Sequence, residues 1–359
     1  MRSTEPNTFA ARLLAWFDAN GRRDLPWQRD PSPYRVWVSE IMLQQTQVVT
    51  VIPFYERFMA RFPTVLALAA APLDDVLALW SGLGYYARAR NLHKSARILV
   101  ERYGAELPSS IEALLELPGI GRSTGAAILA LSRGERLPIL DGNVKRVLAR
   151  YHEVAEWPGS TRVQNELWRY AERYLPEVRI ADYTQAIMDL GATLCVRSEP
   201  ACPRCPLAPD CRARASGRQS ELPVPRPRRP RPQRAKTALL VRDPDRRILL
   251  ERRPEHGVWG GLYCLPELLD DETVEAWCLE HLASRISHVN ALAPIDHAFT
   301  HFDLRLNPVE IGLAAAPSVV MDSERLLWYN PAHPPPGGIP APIAKLLTAL
   351  ARADERQIA

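Results

Sequence analysis

The chain has 359 residues, 47% of them hydrophobic and 24% charged. That length exceeds one ordinary core and implies two domains or more, and the composition excludes a wholly disordered chain, a collagen and a coiled coil. The net charge of +4 is unevenly spread, with +8 between residues 212 and 236 and −4 over the rest, so bulk charge is weak support for a nucleic-acid partner.

No stretch reaches the roughly 18 uninterrupted apolar residues that cross a bilayer. The opening segment breaks its apolar run at Arg12 and Asp18. The expectation is a soluble chain with no export signal and no membrane partner, cytoplasmic and, in a bacterium, nucleoid-associated.

From Phe9 to Cys195 apolar residues recur at three- and four-residue spacing in FAARLLAWF, VWVSEIMLQQTQVV, DDVLALW, GAAILALS, VKRVLARY and YTQAIMDLGATL, which predicts helices punctuated by Pro and Gly. A cysteine loop follows, then LPVPRPRRPRPQR, whose proline and lack of apolar residues predict a linker. Beyond it, TALLVRDPDRRILLERR reads as two strands joined by a turn at Asp243, Pro244 and Asp245, with helices expected near Asp271–Ser284 and Pro342–Ala351. The expected division is a helical region over 1–217, a Pro/Arg-rich linker over 218–235 and a smaller α+β domain over 236–359.

Cys195, Cys202, Cys205 and Cys211 form a C-x6-C-x2-C-x5-C run, while Cys264 and Cys278 stand alone. A chain without an export signal keeps its thiols reduced, which favours metal over disulfides, and four thiolates suit either tetrahedral zinc or an iron–sulfur cubane. Pro203, Pro206 and Pro209 are expected to hold the loop away from helix. The two isolated cysteines read as small buried hydrophobes.

LLELPGIGRSTGAAILAL predicts a helix, a Pro-Gly-x-Gly turn and a second helix, with positive φ at Gly119 and Gly121 and amides free to meet a phosphate. A plain turn is the ordinary alternative. Asp141, in LDGNVKRV, reads first as a helix N-cap, and Glu40, in VWVSEIMLQQTQ, as a surface carboxylate.

Together LPGIGRSTGAAIL, LDGNVKRV and the cysteine spacing resemble the helix-hairpin-helix DNA glycosylases with an iron–sulfur loop. WVSEIMLQQTQV, SGLGYYARARNLH and the appended domain are similar to the MutY-type adenine DNA glycosylases within that superfamily. The resemblance implies a monofunctional enzyme of base excision repair that removes adenine mispaired with 8-oxoguanine or guanine in double-stranded DNA, acts as a monomer and carries a [4Fe–4S] cluster on Cys195, Cys202, Cys205 and Cys211.

It also implies roles for residues. Adenine is a poor anionic leaving group, so its release needs a proton on the base and negative charge beside an oxocarbenium-like sugar. By resemblance Glu40 protonates adenine N7, kept neutral by burial near Val36, Trp37 and Leu43. Asp141 stabilises the sugar with Asn143 beside it, and its helix start favours ionisation. Gln45, Thr46, Leu83 and Tyr85 surround the orphaned 8-oxoguanine, Tyr85 as a wedge. Trp27 and Leu43 border the adenine pocket, with packing an equal account of Trp27, and Arg88 and Arg90 are placed for phosphates, though a solvated helix face explains them equally well. Gly119, Gly121 and Ser123 belong to the DNA-binding hairpin.

Bifunctional relatives of the endonuclease III type carry a Schiff-base lysine where this chain has Ser123, and serine cannot form an imine. Lys145 is the nearest amine in sequence to Asp141 that could give incidental lyase activity. WGGLYCLPE resembles the loop of Nudix folds, but DDETVEAWCLEHL lacks the glutamates for magnesium, so nucleotide hydrolysis is not expected. The resemblance makes this domain a reader of 8-oxoguanine through Phe299, Thr300 and His301. Two alternatives stay open: a bifunctional glycosylase/lyase and a non-catalytic damage-binding protein.

Overall fold

The computed structural model describes residues 8–227, 230–269, 271–315, 325–333, 335 and 337–358. The first seven residues, and Arg228 and Arg229 of the expected linker, lie outside them. By contact the chain divides into two compact units, one of 1–70 with 91–228 and one of 71–90 with 229–359. Segment 71–90 therefore groups with the C-terminal part.

The helices in chain order are α1 (Phe9–Asn20), α2 (Pro33–Leu43), α3 (Val48–Arg61), α4 (Val65–Ala70), α5 (Leu73–Trp80) and α6 (Ala87–Tyr103). They continue with α7 (Ile111–Leu115), α8 (Arg122–Arg133), α9 (Gly142–Tyr151), α10 (Thr161–Tyr174), α11 (Ile180–Thr193) and α12 (Arg212–Ala215). Several of their starts follow from capping chemistry. Thr8 caps α1, Ser32 caps α2 with Pro33 at its first turn, Asp141 caps α9 and Ser160 caps α10. Apolar faces of α1, α8, α9, α10 and α11 bury Leu13, Phe17, Ala127, Leu148, Leu167 and Leu190 in one core.

The continuous apolar pattern of VWVSEIMLQQTQVV does not give one helix. The chain breaks between α2 and α3 because Gln45 adopts the left-handed conformation, φ 57°. The break carries Gln45 and Thr46.

Both ends of the proline-rich segment are structured. Leu222 is buried and its carbonyl accepts from Arg150 Nε at 2.8 Å, while Gln233 already begins a strand.

In the second unit the strands are β1 (Gln233–Arg242), β2 (Ile248–Arg252), β3 (Tyr263–Cys264), β4 (Glu267–Leu268), β5 (Ile286–Ala291), β6 (Ile295–Ala298), β7 (Asp303–Leu313) and β8 (Leu326–Tyr329). The sheet runs β3-β2-β1-β7-β5 and is mixed: β1 lies parallel to β7, while the β1–β2 and β5–β7 pairs are antiparallel. Helices α13 (Val274–Leu282) and α14 (Ala341–Ile358) match the two expected, α14 running further than its apolar period suggested. One core joins Leu239, Val241 and Ile311 to Trp277 and Cys278 of α13; the other joins Leu240 and Leu250 to Ile343 and Leu347 of α14. Cys264 and Cys278 are buried, as small hydrophobes would be.

Candidate active site and cysteine cavity

Glu40 stands on α2, which packs against α8, and Asp141 stands at the start of α9. Desolvation by the surrounding protein, with the Asp141 charge adding to it, pushes the Glu40 pKa up to about 8. The two carboxylates therefore act on each other inside one site. Val36 and Trp37 beside Glu40 are buried and Leu43 is half-buried.

Asp141 is both an N-cap and a crowded carboxylate. Its Oδ1 accepts from Val144 N at 2.8 Å and its Oδ2 from Asn143 Nδ2 at 3.2 Å. Burial raises its pKa, and the Val144 and Asn143 amides, then Arg146, pull the other way. The helix start alone does not make this group an unusually strong acid, because desolvation outweighs those donors. Both carboxyl groups are shifted upward, but Asp141 alone has donors on both oxygens among the hydrogen bonds of the pair.

Sequence reasoning missed what holds Asn143. Arg146 NH2 donates to Asn143 Oδ1 at 2.8 Å and to Gly191 O at 2.6 Å, and its Nε donates to Cys195 O at 2.6 Å. Gly191 permits this approach: a Cβ there would lie 2.6 Å from Asn143 Cβ. A glycine inside the α11 pattern was the one available signal.

In the hairpin, Gly119 has φ 84° and a Cβ on it would lie 3.0 Å from Asn91 Cβ. Gly121 does not share that conformation. It has φ −96°, and a Cβ there would meet open space. Its role is that of an N-cap without a side chain, so the first amides of α8 have no side-chain cap. Ser123 Oγ accepts from Leu140 N at 3.0 Å and so ties α8 to the residue before Asp141. Gln44, also missed, donates to Gly119 O and Thr124 Oγ1 at 3.4 and 3.3 Å. Gln45 is exposed and Thr46 half-buried, with Thr46 Oγ1 donating to Gln44 O. Trp27 is buried edge-on to Tyr55 at 5.3 Å, a packing role.

All four loop cysteines line one cavity with Val147, Tyr151, Leu190, Leu194 and Leu207. Cys195 follows the end of α11, while two short 3₁₀ turns, Cys202–Arg204 and Ala208–Asp210, present the other three, and Pro203 and Pro209 stand inside those turns. Between Thr193 and Arg212 the loop has these short turns and no α-helix, and the fixed φ of proline suits their early positions. Burial pushes the Cys205 thiol up to about 11 and raises Cys211, with the other cysteines adding. Buried Arg150 places NH1 3.3 Å from Cys195 Sγ. Four thiols converging on one apolar cavity fit a tetrahedral or cubane thiolate centre.

In the second unit Tyr85 is 48% exposed at φ 51°, whereas Leu83 and Tyr86 are buried. Arg88 is 8% exposed and donates to Gly84 O, and Arg90 donates to Gly260 O at 2.6 Å. Both arginines thus make hydrogen bonds to backbone carbonyls of the second unit. Phe299, Thr300 and His301 form the turn between β6 and β7, closed by Phe299 N donating to Phe302 O at 2.9 Å. Thr300 Oγ1 lies 3.4 Å from His301 Nδ1, and both residues are exposed.

Comparison with known proteins agrees with this geometry. Residues 38–173 match the profile of the HhH-GPD superfamily of base excision DNA repair proteins, and residues 237–349 match that of the NUDIX domain. The chain is 37% identical to the adenine DNA glycosylase of Buchnera aphidicola (subsp. Acyrthosiphon pisum) over 94% of its own length and 96% of that protein's. It is 44% identical to the human adenine DNA glycosylase over 61% of its own length and 41% of that longer protein's. A thermostable thymine-DNA glycosylase superposes on 58% of the chain and 95% of that structure, with TM-score 0.53 and 27% identity. The helical HhH-GPD region and the Nudix-like mixed sheet are thus both accounted for, and near full-length identity to a curated member places this chain in the adenine DNA glycosylase family.

Proposed function

We propose that the protein excises adenine paired with 8-oxoguanine or guanine in duplex DNA, with Glu40 as general acid and Asp141 as the carboxylate facing the sugar. The observation that carries this reading is the pair itself: a carboxyl pushed up to about 8, coupled to a second one whose oxygens accept from Val144 N and Asn143. A group titrating near 8 is protonated at neutral pH and can still give its proton away. Glu40 protonates N7 of the extruded base, the C1′–N9 bond breaks, and neutral adenine leaves. Asp141 meets the positive charge left at C1′, Asn143 and Arg146 hold it oriented, and a water then adds at C1′ and yields its proton to Glu40.

Several readings accompany this one. Uncapped amides at the start of α8, after Gly119 and Gly121, suit a phosphate. Tyr85, with Leu83 behind it, Gln45 and Thr46 serve the orphaned 8-oxoguanine, and Phe299, Thr300 and His301 read it from the C-terminal domain. Trp27 and Leu43 support the adenine pocket through packing. The domain division over 1–217, 218–235 and 236–359 and a monomeric state complete the reading. Cys195, Cys202, Cys205 and Cys211 would hold a [4Fe–4S] cluster. When bound it supplies four iron–sulfur bonds that fasten residues 195–211 over α9 and α11.

Single-turnover assays on labelled duplexes, one per mispair, with strands separated after alkali, test the proposal. Release of adenine opposite 8-oxoguanine and guanine, without breaks before alkali and without a borohydride-trapped adduct as abundant as product, is expected. An abundant adduct would transfer the chain to the lyase class despite Ser123.

A further inference from the structure

We propose that Ser81 and Tyr86 are positioning residues for lesion discrimination: their hydroxyls both donate to the Ile339 carbonyl and thereby let the C-terminal chain set where Tyr85 points. The proposal rests on the reading of Tyr85 as the wedge.

The loop after α5 has an unusual backbone. Gly82, Gly84 and Tyr85 have φ of 98°, 79° and 51°, and of the three the tyrosine is the residue that bears a steric cost. Such a conformation persists only when its surroundings over-determine it. Local contacts fix its shape: Trp80 Nε1 and Arg88 NH2 both donate to Gly84 O, at 3.1 and 3.2 Å, and the Arg88 guanidinium lies 5.4 Å from the centres of the Trp80 and Tyr85 rings. These contacts tie the loop only to the adjoining ends of α5 and α6.

Placement comes from a point about 250 residues away. Ser81 Oγ donates to Ile339 O at 3.0 Å and Tyr86 OH donates to the same oxygen at 3.1 Å, while Gly82 N donates to the Tyr86 hydroxyl at 3.4 Å. Ile339 is buried in the core with Ile343 and Leu347 of α14, so its carbonyl is a fixed post. Gly338 allows the approach, since a Cβ there would lie 2.8 Å from Leu262 and 3.1 Å from Leu77. Burial raises the Tyr86 phenol, which keeps it a donor. Two further ties, Arg252 to Asp74 at 2.8 Å and Arg90 to Gly260 O, bind the same segment to the same chain. Segment 71–90 and residues 229–359 accordingly form one compact unit. Tyr85, 48% exposed, is thus carried by the same compact unit as the Nudix-like domain.

The test is a mutant cycle in the full chain. Ser81→Ala, Tyr86→Phe and the pair are each made with Tyr85 present and with Tyr85→Ala, and the readout is the ratio of single-turnover excision for A·8-oxoguanine over A·G. With Tyr85 present, losing one buried hydroxyl bond should lower the ratio about fivefold and the pair about tenfold or more. In the Tyr85→Ala background the pair should change nothing further, because the hydroxyls act only through that ring. Ser81→Thr keeps the donor and should keep the ratio, and it remains informative if the paired variant folds poorly. Equal losses in both backgrounds, or no loss from the pair where Tyr85→Ala alone does lower the ratio, would overturn the positioning role. A ratio untouched by Tyr85→Ala would instead remove the wedge reading and this proposal with it.

Discussion

The carboxylate pair and the cysteine cavity both gather potential anions inside one helical unit, yet they manage them differently. Glu40 is desolvated and faces the Asp141 charge, and it answers by holding its proton, pushed up to about 8. Asp141 is given donors on both oxygens. Among the cysteines, Arg150 reaches Cys195 Sγ, while burial drives Cys205 up to about 11. In the proposed reaction the first region works with this chain's own side chains, whereas the second is a ligand set that needs a cation to become anionic. Helix α9 belongs to both, with Asp141 at its start and Arg146 and Arg150 one and two turns on.

The largest effect should come from Glu40→Gln, which removes the proton and little else. Excision at saturating enzyme is expected to fall about a thousandfold, with duplex binding and iron content unchanged. Retained excision would take the acid role from Glu40. Cys205→Ala should do the converse: bound iron and visible absorption are lost together, and the thermal midpoint drops, as seen by metal analysis and calorimetry. If iron stays at the full amount, the ligand set is wrong.

Gly191→Ala tests the bridge between the regions. A methyl 2.6 Å from Asn143 Cβ should cost about 1–3 kcal/mol, a few degrees in midpoint, and slow excision while iron is retained. Gly121→Ala is the smallest step. With φ −96° and open space before it, the change should alter stability by less than about 0.5 kcal/mol, so any loss of DNA affinity would report close approach of the backbone to a ligand.

Much of this was legible in the sequence because local chemistry and motif agree. Asp141 reads as an N-cap from LDGNVKRV and is one, and the cysteine spacing names a site that the fold does close. What stayed hidden is tertiary. Gln44–Gln47 interrupts an apolar period that continues on both sides, and nothing in the pattern says that Gln45 turns left-handed. Arg88 and Arg90 look like a solvated, phosphate-facing stripe, yet their partners are Gly84 and, 170 residues on, Gly260. Arg146 and Arg150 look like an ordinary charged helix face for the same reason. Segment 71–90 sits in the helical pattern, and its hydroxyl contacts to Ile339 are invisible until the chain is folded.

The central claim is that Glu40 is a neutral acid working opposite an ionised Asp141, and the pH dependence of single-turnover adenine release tests it most directly. Below a pKa of about 8 the Glu40 carboxyl is protonated and the rate should be level with respect to that group. Above it the rate should fall about tenfold per pH unit, and that limb should vanish in Glu40→Gln. A native rate that stays level through pH 10, or a falling limb that survives in Glu40→Gln, would contradict the account.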